Sequence, residues 1–329
     1  MCLVKMRRVL FPLLIILVSW SGRAQSDVSF AFTDTAPADL LATRSVVFFS
    51  GDYSDQELEE TQKGFQQIGI DAVAYFEEDK VLAGKDVSKV YAEYLVSRDI
   101  KYILLFEKTQ GAYVLIATAF NGKSSFFDNG QPAWKVQQTK HHEWLQSIYR
   151  DSWLNQKKQN FLINDIPERQ ISLTVIAGRR SEFFAVDLKV DNLAVPKTGD
   201  EQLDKELEQF FAANYPFKYK IVEANYDEKE SRKLGFHYVL TYIHTKGRSA
   251  RELLGYDMSK SENAYASVTY SNGTSQIKTI PADKPIYKFY FKHIESGNVF
   301  LGTKWDADET WMQALKNHLM GFRAELRLN

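Results

Sequence analysis

Apolar positions along this chain recur with two periods, about 3.6 and 2, and the order of the periods appears twice. Asp55-Gln56-Glu57-Leu58 opens a stretch that carries Phe65 and Ile68 on the Leu58 side, and Asp200-Glu201-Gln202-Leu203 opens another that reaches Phe210 and Phe211. In both, Leu follows Asp by three and Phe follows Leu by seven, which places Leu and Phe on one helix face. Asp55 and Asp200 are the expected N-caps, because a short carboxylate accepts hydrogen bonds from free first-turn amides.

A strand-like run follows each helix, at 72–76 and 219–222, and then a charged second helix, at 86–97 and, shorter, at 227–234. Bulky runs at 100–104 and 236–240 read as central strands buried on two faces. The closing helices are alike. Trp144-Leu145-Gln146 with Ile148 parallels Trp311-Met312-Gln313 with Leu315. Residues 45–49 and 183–190 are the expected opening strands. Residues 113–120 follow the central strand of the first half through a turn containing Gly111.

The second half carries additional hairpin patterns. Runs at 267–270 and 277–280 flank Asn272-Gly273, and runs at 287–293 and 298–303 flank Ser296-Gly297. The pattern predicts an α/β protein with mixed sheets, built as two tandem β-α-β-α-β-β-α modules. It points to an internal duplication, with extra β-hairpins in the second copy. The modules fall at 25–155 and 181–329. Between them, 156–180 is a linker or a connecting strand: Ile166-Pro167 stops a helix, while 170–176 alternates apolar with polar residues.

Residues 1–24 have a different character. Lys5, Arg7 and Arg8 precede an apolar run at 9–20, and Gly22-Arg23-Ala24 offers small residues three and one before a cut ahead of Gln25. That pattern predicts a secretory signal peptide and an exported protein, periplasmic or extracellular. The apolar run falls short of the roughly 20 residues of a membrane span, and no transmembrane anchor is expected after cleavage. The only cysteine is Cys2, inside this leader, so the predicted mature chain has neither disulfide nor thiolate chemistry. The leader holds four basic residues and no acid, so the formal net charge of -1 becomes -5 without it. An acidic balance argues against nucleic acid as a partner. The 22 Phe, 17 Tyr and 6 Trp suit large cores, because most of them alternate within strand-like runs.

Catalytic signatures are sparse. The chain lacks G-x-S-x-G, HExxH and the phosphate-loop and dinucleotide glycine patterns. His141 and His142 point about 100° apart on a helix and do not converge on one ion. Asp306-Ala307-Asp308-Glu309 has the oxygen content of a calcium loop, but helix capping accounts for it more simply. Glu77-Glu78-Asp79 reads as a solvated strand exit. Ser50-Gly51-Asp52 sits after a strand and before a helix, a frequent place for ligands, although one glycine also marks an ordinary turn. No cofactor and no metal site is expected.

Lys246, Arg248 and Arg251 cluster just after the second central strand, in a loop on this reading. Tyr256, Tyr270 and Tyr287 run through the inserted region beyond it. These six are the candidate ligand or partner surface, where Arg forks and Tyr rings suit an anionic or envelope partner. The element order is similar to that of small α/β modules of bacterial envelope proteins, such as the amino-terminal domain of TolB and periplasmic lipoprotein modules that regulate wall synthesis. The similarity lies in element order, and no residue role is carried over from it. The leading expectation is therefore an exported, non-catalytic binding or assembly protein of a bacterial-type envelope, acting through an envelope protein or cell-surface component. The alternatives are an envelope hydrolase whose residues converge from both halves, and a small-ligand carrier that binds between them.

Overall fold

Six strands form the first sheet, and the central ones carry β-branched and aromatic residues buried on both faces. The six are β1 (Ala31–Thr33), β2 (Arg44–Phe49), β3 (Asp71–Glu77), β4 (Ile100–Thr109), β5 (Ala112–Ala119) and β6 (Pro132–Gln138), in the spatial order β1-β6-β5-β4-β2-β3. The computed structural model describes residues 29–153, 163–169, 171, 173–260, 262–271 and 274–328. The predicted signal peptide and the Asn272-Gly273 turn lie outside the described residues.

β2 runs parallel to both its neighbours and sets Val47 between Tyr75 and Leu104. α1 (Asp55–Ile68) links β2 to β3. Then α2 (Glu78–Val81) and α3 (Lys85–Ser97) lead to β4, and α4 (His141–Trp153) closes the unit. The β4–β5 hairpin turns at Gln110 and Gly111, both at positive φ, the pairing that a two-residue type I′ turn requires.

The N-cap of α1 is Ser54, one residue before the expected Asp55. Ser54 and Glu57 form a reciprocal capping box, which satisfies more amides than a lone carboxylate. Glu57 also receives Lys108 Nζ at 2.7 Å and Tyr113 Oη at 2.7 Å, so it ties the helix start to the β4–β5 hairpin. Burial opposes the Glu57 charge, yet the bonds from Lys108, Ser54 and Tyr113 hold its carboxyl down at about 2.

The second sheet has the same strand order and strand directions. It comprises β7 (Arg180–Ser181), β8 (Leu193–Pro196), β9 (Tyr219–Val222), β10 (Tyr238–Lys246), β13 (Pro285–His293) and β14 (Val299–Phe300), in the order β7-β14-β13-β10-β8-β9. β8 lies parallel to β9 and β10, β10 antiparallel to β13, and β14 parallel to β7, each as in the first sheet. α5 (Glu201–Asn214), α6 (Glu228–Lys233) and α8 (Trp311–Glu325) occupy the places of α1, α3 and α4. Asp200 caps α5 as expected, accepting from the amides of Gln202 and Leu203. The insert is α7 (Gly247–Leu253) followed by a two-stranded hairpin, β11 (Ala264–Ser271) with β12 (Thr274–Pro281).

Two element assignments in the second unit are corrected. Residues 183–190 do not form the opening strand, which is β8. Phe184 and Leu188 are buried four apart, a helical spacing, and Val186–Lys189 forms a 3-10 turn. The cluster after β10 is helical rather than a loop, since α7 begins at Gly247. In the connection, Glu168 forms a parallel bridge to Ala74 beside β3, and its backbone exchanges hydrogen bonds with Val73 and Tyr75.

The layers follow from where the apolar faces point. α1 and α4 cover the outer face of the first sheet, over Val47, Phe65, Phe106 and Trp144. α5 and α8 cover the outer face of the second, over Phe211, Phe289, Leu315 and Phe322. The inner faces share one core, in which Phe48, Phe76, Tyr91 and Leu105 meet Ile243, Ala250, Ile286 and Tyr290. α6 has 6 residues where α3 has 13, and the first unit reaches across to the inner face of the second sheet. The Ala83 carbonyl accepts from the His244 amide at 2.6 Å. A Cβ on Gly84 would stand 2.8 Å from the Tyr242 carbonyl oxygen. Asp86 receives Lys292 Nζ at 2.6 Å and Tyr290 Oη at 3.2 Å.

β14 is short, and the chain after it leaves the sheet. The Lys288 ammonium fills the gap, donating to the Leu301 and Phe289 carbonyls at 2.8 and 3.0 Å and pairing with Asp306 Oδ1 at 2.7 Å. His318 on α8 meets the other oxygen of Asp306 at 3.0 Å. All three side chains are fully or almost fully buried. Burial lowers the His318 pKa, so the ring is neutral and its Nδ1–H donates to the carboxylate. Burial alone would raise Asp306, but Lys288 and His318 hold it charged. Asp306 is thus neither a calcium ligand nor a helix cap, and Thr310 is the N-cap of α8.

Three outcomes are expected. Gly84→Ala forces β10 away from the α2–α3 connection and costs about 1–3 kcal/mol, read by differential scanning calorimetry. Glu57→Gln costs about 1–2 kcal/mol at pH 7. The folded pKa lies below the usual 4.5, so this contribution is complete above about pH 4.5 and fades as pH falls toward 2. Urea unfolding of both forms across that range would show the gap closing. Asp306→Ala strands the Lys288 charge and costs about 3–5 kcal/mol in the same assay.

Candidate functional site

Open α/β sheets hold ligands in the crevice outside the carboxyl ends of their parallel strands, where the following loops and helix starts lie. In this protein those ends converge from both sheets on one cleft. It measures about 760 Å³ and is walled by Ser50-Gly51-Asp52 after β2, Glu78 and Asp79 after β3, and Pro196-Lys197-Thr198 after β8. Ala224 and Tyr226 after β9, Ser124 and Ser125 after β5, and Thr241, His244, Thr245 and Lys246 on β10 add to that lining. Leu207, Leu240, Tyr242, Phe289 and Trp311 supply an apolar wall. The volume is that of an ordinary small-ligand site.

Charges in the cleft are compensated within the protein. Lys246 Nζ lies 3.2 Å from Asp79 Oδ2, across the two units. Lys197 pairs with Glu223 at 2.9 Å. Lys85 donates to the Tyr226 carbonyl at 2.6 Å and sits 3.7 Å above the Tyr226 ring. Burial pushes the Lys85 pKa below the usual lysine value. The His244 ring stacks on Tyr287 at 3.8 Å and 11°, and its Nδ1 lies 3.2 Å from the Ile286 carbonyl. A Cβ on Gly51 would stand 2.3 Å from Lys246 Nζ, so glycine there admits the ammonium to its place beside Asp79.

A wider groove, about 1010 Å³, runs beside α1 and is lined by Asp165, Ile166, Pro167, Arg169, Ile171 and Leu173. Several of its polar side chains are already engaged. Gln62 bonds Tyr75 and the Asn164 carbonyl, Gln66 bonds Asp165, and Arg169 reaches the Leu58 carbonyl.

The six residues expected as one surface lie in separate places. Lys246 is in the cleft, and Tyr287 backs it through the His244 stack. Arg251 and Tyr256 belong to an aromatic cluster, in which the Arg251 guanidinium lies 4.4 Å from the Tyr265 ring and the Arg180 guanidinium 4.3 Å from the Tyr256 ring. Burial raises the Tyr256 pKa. Arg248 is exposed on α7 and reaches the Glu262 carbonyl. Tyr270 lies on β11, where its amide donates to Asn317 of α8 at 3.0 Å.

Sequence reasoning placed Ser50-Gly51-Asp52 correctly after a strand, and strand-end position was the available signal for it. Asp79 is not part of a solvated exit: neither of its carboxylate oxygens is exposed, and Glu78 is buried. Thr245 and His244 carried no signal, because only the packing of the two sheets turns them toward a cavity. Among the described residues, no group of three or more His, Cys, Asp or Glu side chains is placed to hold a metal ion. No described helix is long and apolar enough to cross a membrane. The chain matches no protein-family model, and no curated protein matches it.

Proposed function

We propose that this chain is an exported, non-catalytic binding protein that takes a small ligand between its two α/β units. The convergence of parallel strand ends from both sheets on one 760 Å³ cleft carries this reading. The export part rests on the leader pattern of residues 1–24. A small ligand fits better than a folded partner, because the polar groups lie recessed between sheets whereas protein interfaces are broad and nearly flat. An envelope setting agrees with both the leader and the element order. Hydrolysis has less support, since the Lys246–Asp79 pair and the His244–Tyr287 stack present no nucleophile aligned with a base.

Nile red, a neutral fluorophore with an apolar body, is a direct probe. It is expected to bind the purified chain one to one, with a blue-shifted emission. Ala224→Trp places an indole at the cleft from an exposed position, without disturbing the core, and is expected to weaken binding at least about tenfold. Equal binding by both forms would show that the cleft is not the site.

A further inference from the structure

The cleft contains polar side chains that lack partners. Ser50 Oγ, Thr245 Oγ1 and both carboxylate oxygens of Asp79 are shielded from solvent and accept or donate no hydrogen bond among the described residues. They come from the end of β2, the end of β10 and α2, so both units contribute. Thr245 is only 3% exposed. The Lys246 ammonium stands close enough to Asp79 for an ion pair but outside hydrogen-bond geometry. Buried polar atoms in folded proteins nearly always have a partner, and a cluster of exceptions lining one cavity marks a place built for an occupant.

We infer that the occupant presents a neutral, polyhydroxylated group, a saccharide with vicinal hydroxyls; this rests on the cleft being a ligand site. The cleft wall carries Asp52, Glu78 and Asp79 against Lys85, Lys197 and Lys246, three acids and three bases. Such a wall offers an ionic ligand no net attraction, and an anion would meet Asp79 as a cation would meet Lys246. The open groups are two hydroxyls and a carboxylate. A hydroxyl both donates and accepts, and the Asp79 carboxylate, ion-paired with Lys246 through Oδ2 but hydrogen-bonded at neither oxygen, can accept from adjacent hydroxyls. A sugar ring supplies that pattern of donors on its edge. Its face carries C–H groups, which suit the rings of Tyr242 and Trp311 on the apolar wall.

Thr245 makes the assignment testable in two directions. Valine has the same shape as threonine and no hydroxyl. In the empty protein Thr245→Val removes a buried group without a partner, so the melting temperature is expected to rise. In the complex it removes a hydrogen bond, so affinity is expected to fall about tenfold. A purely structural threonine would instead lose stability on replacement and leave affinity alone.

The experiment is displacement of Nile red from the purified chain by maltotriose, cellotriose and fully N-acetylated chitotriose, with glucuronate and glucosamine as charged comparators. At least one neutral trisaccharide is expected to displace the dye, and Asp79→Asn and Thr245→Val are each expected to weaken it about tenfold. If Nile red binds and no neutral saccharide displaces it, or a charged sugar competes better, the saccharide assignment falls and the cleft reading stands. Saccharide binding that Thr245→Val and Asp79→Asn leave unchanged also overturns the assignment. If Nile red itself does not bind, both fall together.

Discussion

The approach of the α2–α3 connection to β10 governs the rest of the molecule. With the His244 amide bonded to the Ala83 carbonyl and no side chain on Gly84, two backbones from different units come into contact. That contact sets the separation of the sheets. It brings Asp86 within reach of Lys292 and Tyr290, and Lys246 within reach of Asp79. The cleft is the space left where the two sheets meet at their carboxyl ends, so its width depends on this approach.

The units share a topology and solve different packing problems. The first covers its inner face with α3 and completes its sheet with a seven-residue β6. The second has a short α6 and a two-residue β14. Each deficit is met from elsewhere. The α2–α3 region of the first unit covers part of the open inner face. Lys288 satisfies carbonyls beside the gap that β14 leaves, and Asp306 neutralises its charge. A buried ion pair adds little net stability relative to apolar packing, but removing one partner is costly. The Lys288–Asp306–His318 group therefore fixes how the chain after β14 is placed against α8 and β11.

Periodicity made most elements legible. Leu58 and Phe65, like Trp144 and Ile148, are buried on the helix faces that their spacing predicted. The turn at Gly111 was readable because only residues that tolerate positive φ fit there. The opening of the second unit was misplaced because Phe184 and Leu188, spaced for a helical turn, sit within an apolar run that resembles a strand. The shared surface proposed for the six basic and tyrosine residues did not gather in one place. Proximity in sequence brought Lys246 and Arg251 together, yet α7 turns them to different sides, one toward Asp79 and the other toward Tyr265.

By itself, the sequence determined the mixed α/β character, the twice-repeated order of elements, the cap of α5, and the absence of cysteine beyond Cys2. These follow from local rules, in which a residue's neighbours within a turn or a strand decide its state. The tertiary structure alone decided that the two inner faces share one core and that Ser50, Asp79 and Thr245 line one cavity. It also decided that Lys288, Asp306 and His318 meet inside the second unit. Each of these joins residues far apart in the chain, and the pairing is set by how whole faces pack, a property with no period to read.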